Sequence, residues 1–229
     1  MWARTINGLV LTFHLAGINN QNFLMRDEET GTFWQQISGR AISGPLAGAQ
    51  LTPVHSDELT FALWRSEAPN GTVLKPLPKD AREYETKDWD VRMAKARTVL
   101  DFPNSGLQSR DLVLGVQAFG ASRAYPVERI LAARLIEDRL GSEPILIVVG
   151  PDGESIRVFQ AKVNEQTVAP EFYRTGNVMM DSETGSEWNF SGCAVKGKRV
   201  GTCLQPVDAL KDYWFDWRNY HPETTIFRR

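Results

Sequence analysis

The sequence predicts an α+β fold: an internally duplicated unit of antiparallel strands and hairpins with packed helices. Three observations carry that prediction. Residues 23–74 match residues 177–227 in order, with one gap. Short runs rich in β-formers alternate with turns containing Gly, Asp and Pro. Further segments place apolar residues at helical spacing. Hairpins mixed with packed helices read as α+β.

Composition sets the scale. The 229 residues allow one large domain or two small ones. Seven Trp and eleven Phe supply bulk for a real core. A formal net charge of -2, without a basic run or an aromatic–basic motif, gives nucleic acid little support as a partner. No stretch approaches the apolar length that spans a bilayer, and the longest apolar run, 145–149, reads as a buried strand. Met1-Trp2-Ala3-Arg4-Thr5 lacks the apolar region of a secretory signal. Taking Met1 as the true start therefore puts the chain in the cytoplasm, and a lost upstream signal would instead mean export.

The self-similarity is specific. Met25-Arg26-Asp27-Glu28-Glu29-Thr30-Gly31-Thr32-Phe33-Trp34 recurs as Met179-Met180-Asp181-Ser182-Glu183-Thr184-Gly185-Ser186-Glu187-Trp188. After a one-residue offset, Ser38-Gly39, Ala41, Gly44 and Gly48 meet Ser191-Gly192, Ala194, Gly197 and Gly201. Trp64-Arg65, Pro69 and Thr72 meet Trp217-Arg218, Pro222 and Thr225. The period is far longer than that of a solenoid, so it marks a duplicated subdomain. The division is 1–104 for the first unit with a connector, and 105–229 for the second.

Each copy has a local reading. Asp-x-Glu-Thr-Gly is turn chemistry: Gly supplies positive φ and Asp bonds the backbone ahead of it. Strands at 23–26 and 32–35, and at 178–180 and 186–189, flank the two turns. A helix follows in each copy. In the first it runs near 58–67 with Phe61 and Trp64 inward. In the second, Asp208 is an N-cap, and Leu210, Trp214 and Trp217 share a face. Pro69 and Pro222 stop the helices, and 72–74 and 225–227 read as closing strands. Between the copies, a short helix falls near 88–97 and strands fall at 112–116 and 121–125. Pro126 opens a helix over 127–140 that Gly141 ends. A hairpin then joins 144–149 to 155–163 across Gly150-Pro151-Asp152-Gly153.

Candidate site residues are few. Asp27 with Glu29, and Asp181 with Glu183, place paired carboxylates in each turn, where they could hold a cation or polar ligand or serve the turn itself. Cys193 and Cys203 could form a disulfide, remain structural thiols or do redox chemistry. Lys196, Lys198 and Arg199 form a small basic loop open to an anion or to solvent. His14, His55 and His221 have no metal-ligand spacing. Gly44-Pro45-Leu46-Ala47-Gly48 lacks the Lys-Ser/Thr of a phosphate loop. No metal and no cofactor is expected, and a small molecule or protein remains open as partner.

Asp27-Glu28-Glu29-Thr30-Gly31-Thr32-Phe33-Trp34, Gly39-Arg40-Ala41-Ile42-Ser43-Gly44-Pro45-Leu46-Ala47-Gly48, Ala121-Ser122-Arg123-Ala124-Tyr125-Pro126 and Glu183-Thr184-Gly185-Ser186-Glu187-Trp188 carry a family resemblance. Over nearly the whole chain they resemble the uncharacterised bacterial family called domain of unknown function 3179, some members of which are selenoproteins. The resemblance implies a Cys-Pro-Leu-Cys motif, or its selenocysteine version, in the first copy. Matching Phe159 with Trp2 and Val163 with Ile6 puts that motif a few residues before Met1. The expectation is an amino-terminally truncated first copy that has lost the reactive pair of a thiol or selenol redox protein. The alternative expectation is a non-catalytic binding module with a site between the repeat units.

Overall fold

The computed structural model describes all residues except 20, 21, 83, 85, 164–169, 177 and 229. Residue 177, the first of the second self-similar segment, lies outside the described residues. In chain order the first strands are β1 (Thr5–Ile6), β2 (Leu9–Val10), β3 (Phe13–Asn19), β4 (Asn22–Asp27), β5 (Phe33–Gln35) and β6 (Ala41–Ser43). Helices α1 (Phe61–Glu67) and α2 (Trp89–Lys95) follow, then β7 (Leu112–Ala118), β8 (Ala121–Pro126) and α3 (Val127–Ala133). Next come β9 (Leu135–Leu140), β10 (Glu143–Val149), β11 (Ile156–Gln160), β12 (Phe172–Thr175), β13 (Val178–Asp181), β14 (Glu187–Trp188) and β15 (Ala194–Lys196). The chain closes with β16 (Gln205–Pro206), β17 (Ala209–Tyr213), α4 (Trp214–Tyr220) and β18 (Thr225–Ile226). Helices and largely antiparallel sheets make this an α+β protein.

Two compact units emerge. One comprises Met1–Ser56, Thr98–Tyr125 and Val207–Arg229; the other comprises Asp57–Arg97 and Pro126–Pro206. Each unit therefore takes segments from both sides of the sequence division at 104 and 105.

The first unit holds the sheets β3-β4-β5-β6 and β17-β7-β8-β18 and the β1–β2 hairpin. Asn7 and Gly8, both at positive φ (48 and 79°), turn β1 into β2. Leu11, Trp34, Ala41 and Leu51 bury themselves against the first sheet. Phe13 meets Trp34 edge-on, with ring centroids 5.9 Å apart. Val113 and Ala124 form a second cluster with Trp214 and Trp217 of α4. Gly115 is required there, because a Cβ would lie 2.2 Å from the Trp217 ring.

The second unit holds the sheets β16-β11-β10-β9 and β12-β13-β14-β15. Its core gathers Leu146, Val148, Phe159, Phe172, Met179 and Trp188. β10 is buried from Ile145 to Val149, as its continuous apolar run predicts. α1 belongs to this unit. Thr60 caps it by accepting from Leu63 N, and the Thr60 hydroxyl donates to Asp152 Oδ2 at 2.7 Å. Arg157 Nη2 lies 2.7 Å from carboxylate oxygens of both Asp57 and Glu67.

Three expectations need correction. The helix predicted over 127–140 ends at Ala133, because Arg134 turns left-handed at φ 64° and donates its N–H to Ile130 O. From there Ile136, Asp138 and Leu140 face inward and Glu137 and Arg139 outward, a period of two that makes β9 rather than another helical turn. Asp208 caps no helix. It bonds His55 Nδ1 at 2.6 Å, while Leu210 sits in β17 and α4 starts at Trp214. In the first copy α1 forms but buries no residue. Phe61 is 62% exposed, and 72–74 make no strand.

Candidate functional site

The turn carboxylates are consumed by their own turns. Asp27 is buried and accepts from Thr30 N (2.5 Å), Thr30 Oγ1 (2.8 Å), Gly31 N (3.1 Å) and Trp34 Nε1 (2.7 Å). Asp181 repeats this with Thr184 N (2.7 Å), Thr184 Oγ1 (2.9 Å) and Trp188 Nε1 (2.9 Å). Burial pushes both carboxyls up, but these donors outweigh it and hold them below the ordinary Asp value. Glu29 accepts from Thr12 N at 2.8 Å, and Glu183 takes the Arg199 guanidinium. The arrangement orders two hairpins and leaves these four carboxylates engaged.

Of the basic loop only Arg199 is turned inward, and Lys196 and Lys198 are exposed. Arg199 is 8% exposed and faces Asp181 as well as Glu183, while Lys196 Nζ lies 2.7 Å from Glu187 Oε1. Cys193 and Cys203 are joined by a disulfide. They face each other as an isolated antiparallel bridge, and Arg40 and Gln50 form the same bridge without sulfur. His14 sits 3.6 Å from Glu28, and His221 stacks on Trp217 at 3.8 Å. Among the described residues no cluster of His, Cys, Asp and Glu could hold a metal.

The second unit holds a pocket that no sequence motif announces. It has a volume of ≈ 130 Å³ and is walled by Val149, Pro151, Met179, Trp188 and Phe190, with Arg174 among its lining residues. The turn after β10 shapes its mouth. Asp152 accepts from Ser155 Oγ at 2.5 Å and from Thr60, which draws its pKa down to about 2 although burial opposes this. At Gly150 a Cβ would meet Asp152 Oδ1 at 2.9 Å and the Phe190 ring at 3.2 Å, so a side chain there would crowd the turn. Arg174 Nη1 donates to Val149 O at 3.0 Å, and Arg134 Nη2 donates to the next carbonyl, Gly150 O, at 3.1 Å. Burial, and then the Arg134 charge, push the Arg174 pKa down. Neither guanidinium has a carboxylate partner among the described residues. Arg134 escaped the sequence reading because its left-handed position was assigned to a helix interior.

A buried acidic cluster in the first unit was missed as well. Asp216 is 6% exposed; its Oδ2 accepts from Asn22 Nδ2 at 3.1 Å and its buried Oδ1 has no hydrogen-bond partner. Burial and the Asp216 charge raise Asp212 to about 7, and burial raises Asp216. Arg110 offsets part of both and lies over the rings of Tyr213 (4.8 Å) and Phe215 (4.7 Å). Tyr220 donates to Asn19 O at 2.8 Å, and burial together with the two carboxylates lifts its pKa to about 12. The offset that pairs Trp64 with Trp217 puts Leu59 and Leu63 opposite Asp212 and Asp216. That replacement of leucines by aspartates was the available signal.

No curated protein and no solved structure matches the chain. A family described as "Protein of unknown function (DUF3179)" matches residues 1–224, and the match spans the disulfide, the pocket with Arg174 and the acidic cluster. With nearly its whole length covered, the chain belongs to the DUF3179 family.

Proposed function

We propose that this chain is a binding protein whose second unit takes a small molecule with one carboxylate and a short apolar body. The observation that carries the reading is Arg174, which lines a mostly apolar pocket and, like Arg134 on the adjoining Gly150 carbonyl, has no carboxylate partner among the described residues. A partly buried guanidinium is costly unless an anion accompanies it, and a planar guanidinium fork matches a carboxylate. The volume of ≈ 130 Å³ holds on the order of ten water-sized spheres, which suits a branched short-chain acid. The test is an NMR titration with isovalerate and with the uncharged isoamyl alcohol. Isovalerate shifts the Trp188 indole and the backbone of β10, the alcohol does not, and Arg174→Gln weakens binding tenfold or more. Equal response to acid and alcohol, or none to either, refutes the reading.

A further inference from the structure

A second polar side chain lines the pocket of the second unit. Asn189 stands beside Trp188 and Phe190 in its wall and is exposed. Its backbone N donates to Cys193 O at 2.9 Å, and its carbonyl accepts from Gly192 N at 3.0 Å. Its side-chain Oδ1 accepts from Cys193 N at 2.9 Å. A backbone N–H meets only the oxygen of a side-chain amide, so this bond fixes which end of the amide is which. The Nδ2 group, with two N–H donors, has no partner among the described residues. The turn that carries it is well held. Cys193 is bridged to Cys203, and Arg157 touches Ser191 Oγ at 3.4 Å and lies over the Phe190 ring at 4.6 Å.

The matching positions of the first self-similar segment lack this pair of donors. Arg174 is the register partner of Met179, as Leu15 is of Met25, and Met25 matches Met179 in the sequence. Gln35 follows Trp34 as Asn189 follows Trp188, but both ends of the Gln35 amide are taken. Its Nε2 donates to Asn19 Oδ1 at 3.2 Å, and its Oε1 accepts from Ser38 Oγ at 2.8 Å. A guanidinium and an unpaired amide donor thus replace a leucine and a self-contained glutamine on the pocket side of the second segment.

We propose that Asn189 Nδ2 is the second polar contact of the bound molecule, which makes the ligand a branched α-keto acid. The inference rests on the carboxylate-binding reading and narrows its ligand class. Arg174, tied to Val149 O through Nη1, keeps its other N–H groups for the carboxylate. Asn189 donates to the keto oxygen on the adjoining carbon, and Val149, Met179 and Trp188 receive the branched chain. A keto oxygen suits this wall better than a hydroxyl. The only side-chain oxygen among the lining residues is Asn189 Oδ1, and Cys193 N already occupies it. A ligand hydroxyl would find a donor there but no side-chain acceptor for its own proton, whereas a keto oxygen needs only to accept.

The test titrates the whole chain by NMR with isovalerate, α-ketoisovalerate and α-hydroxyisovalerate, which share one branched skeleton and differ at a single carbon. The keto acid binds about fivefold tighter than isovalerate, the worth of one net hydrogen bond, and the hydroxy acid gains nothing over isovalerate. Asn189→Asp keeps the oxygen that accepts from Cys193 N and replaces the donor with a second oxygen. Its added charge weakens all three acids, so the ratio between them is the readout, and the preference for the keto acid disappears. Slow exchange of the Cys193 amide in this variant shows that the turn is kept, and the three-ligand comparison in the parent chain stands without the variant. Equal affinity for the keto acid and isovalerate overturns the Asn189 contact and leaves the carboxylate reading in place. A hydroxy acid that binds as tightly as the keto acid overturns the keto assignment. A preference that survives Asn189→Asp moves the contact to another group and overturns the role of Asn189. Binding of none of the three overturns this inference together with the reading beneath it.

Discussion

The Trp34 indole donates to the carboxylate of Asp27 seven residues earlier, at 2.7 Å, inside a hairpin whose turn amides fill the rest of that carboxylate. Trp188 and Asp181 do the same at 2.9 Å. A buried carboxylate is stable only when its lone pairs are occupied, so the indole is as much part of the turn as the glycine is.

Trp34→Phe therefore leaves Asp27 buried with one donor fewer. The loss of a charge-assisted bond costs about 2 kcal/mol at pH 7. The folded pKa of Asp27 is depressed, so this stability is present above the ordinary Asp value and is lost as pH falls through the folded one. Urea unfolding of both proteins at pH 7 and in acid checks this. The difference shrinks in acid, and a difference that stays constant contradicts the charge-assisted account.

Asp212 has the opposite sign. Its folded pKa is raised to about 7 by burial and by Asp216, so its contribution is favourable below the ordinary Asp value and is lost as pH rises through 7. The first unit is expected to be less stable at pH 8 than at pH 5, and Asp212→Asn to flatten that slope and stabilise the protein at pH 8. Thermal melts across this range decide it. A variant with the same slope as the parent shows that the pair does not titrate as described.

Asp152 gives a control of the first kind. Its pKa of about 2 means that its stability is present above the ordinary Asp value and lost as pH falls through 2. Asp152→Asn is expected to cost on the order of 1–2 kcal/mol at pH 7, after allowance for solvent screening, and to release the Thr60 cap of α1. Hydrogen exchange in α1 should quicken, and an unchanged α1 would mean that Thr60 is held by Ser155 alone.

Reduction of Cys193–Cys203, ten residues apart, removes a short loop constraint worth about 2–3 kcal/mol. The fold survives, because Arg40 and Gln50 make the matching bridge without sulfur and Leu204 N still donates to Gly192 O at 2.8 Å. Circular dichroism with and without reductant, followed by unfolding, measures both halves of this statement.

The amino-acid sequence by itself determined the features governed by neighbouring residues. The Asp-x-Glu-Thr-Gly turns, the β10 run and the α+β character follow from turn chemistry and periodicity within a few positions. Reading failed where one residue redirects the chain, as Arg134 does between α3 and β9, and where pairing with β7 makes 209–213 a strand. The disulfide, the arginine pocket and the acidic cluster were decided by tertiary structure alone. Arg134 and Arg174 are 40 residues apart, and Asn22 and Asp216 are 194 residues apart. Only strand register and the packing of α4 bring such groups together, and the burial of these polar groups, which their local sequence does not encode, then sets their charge.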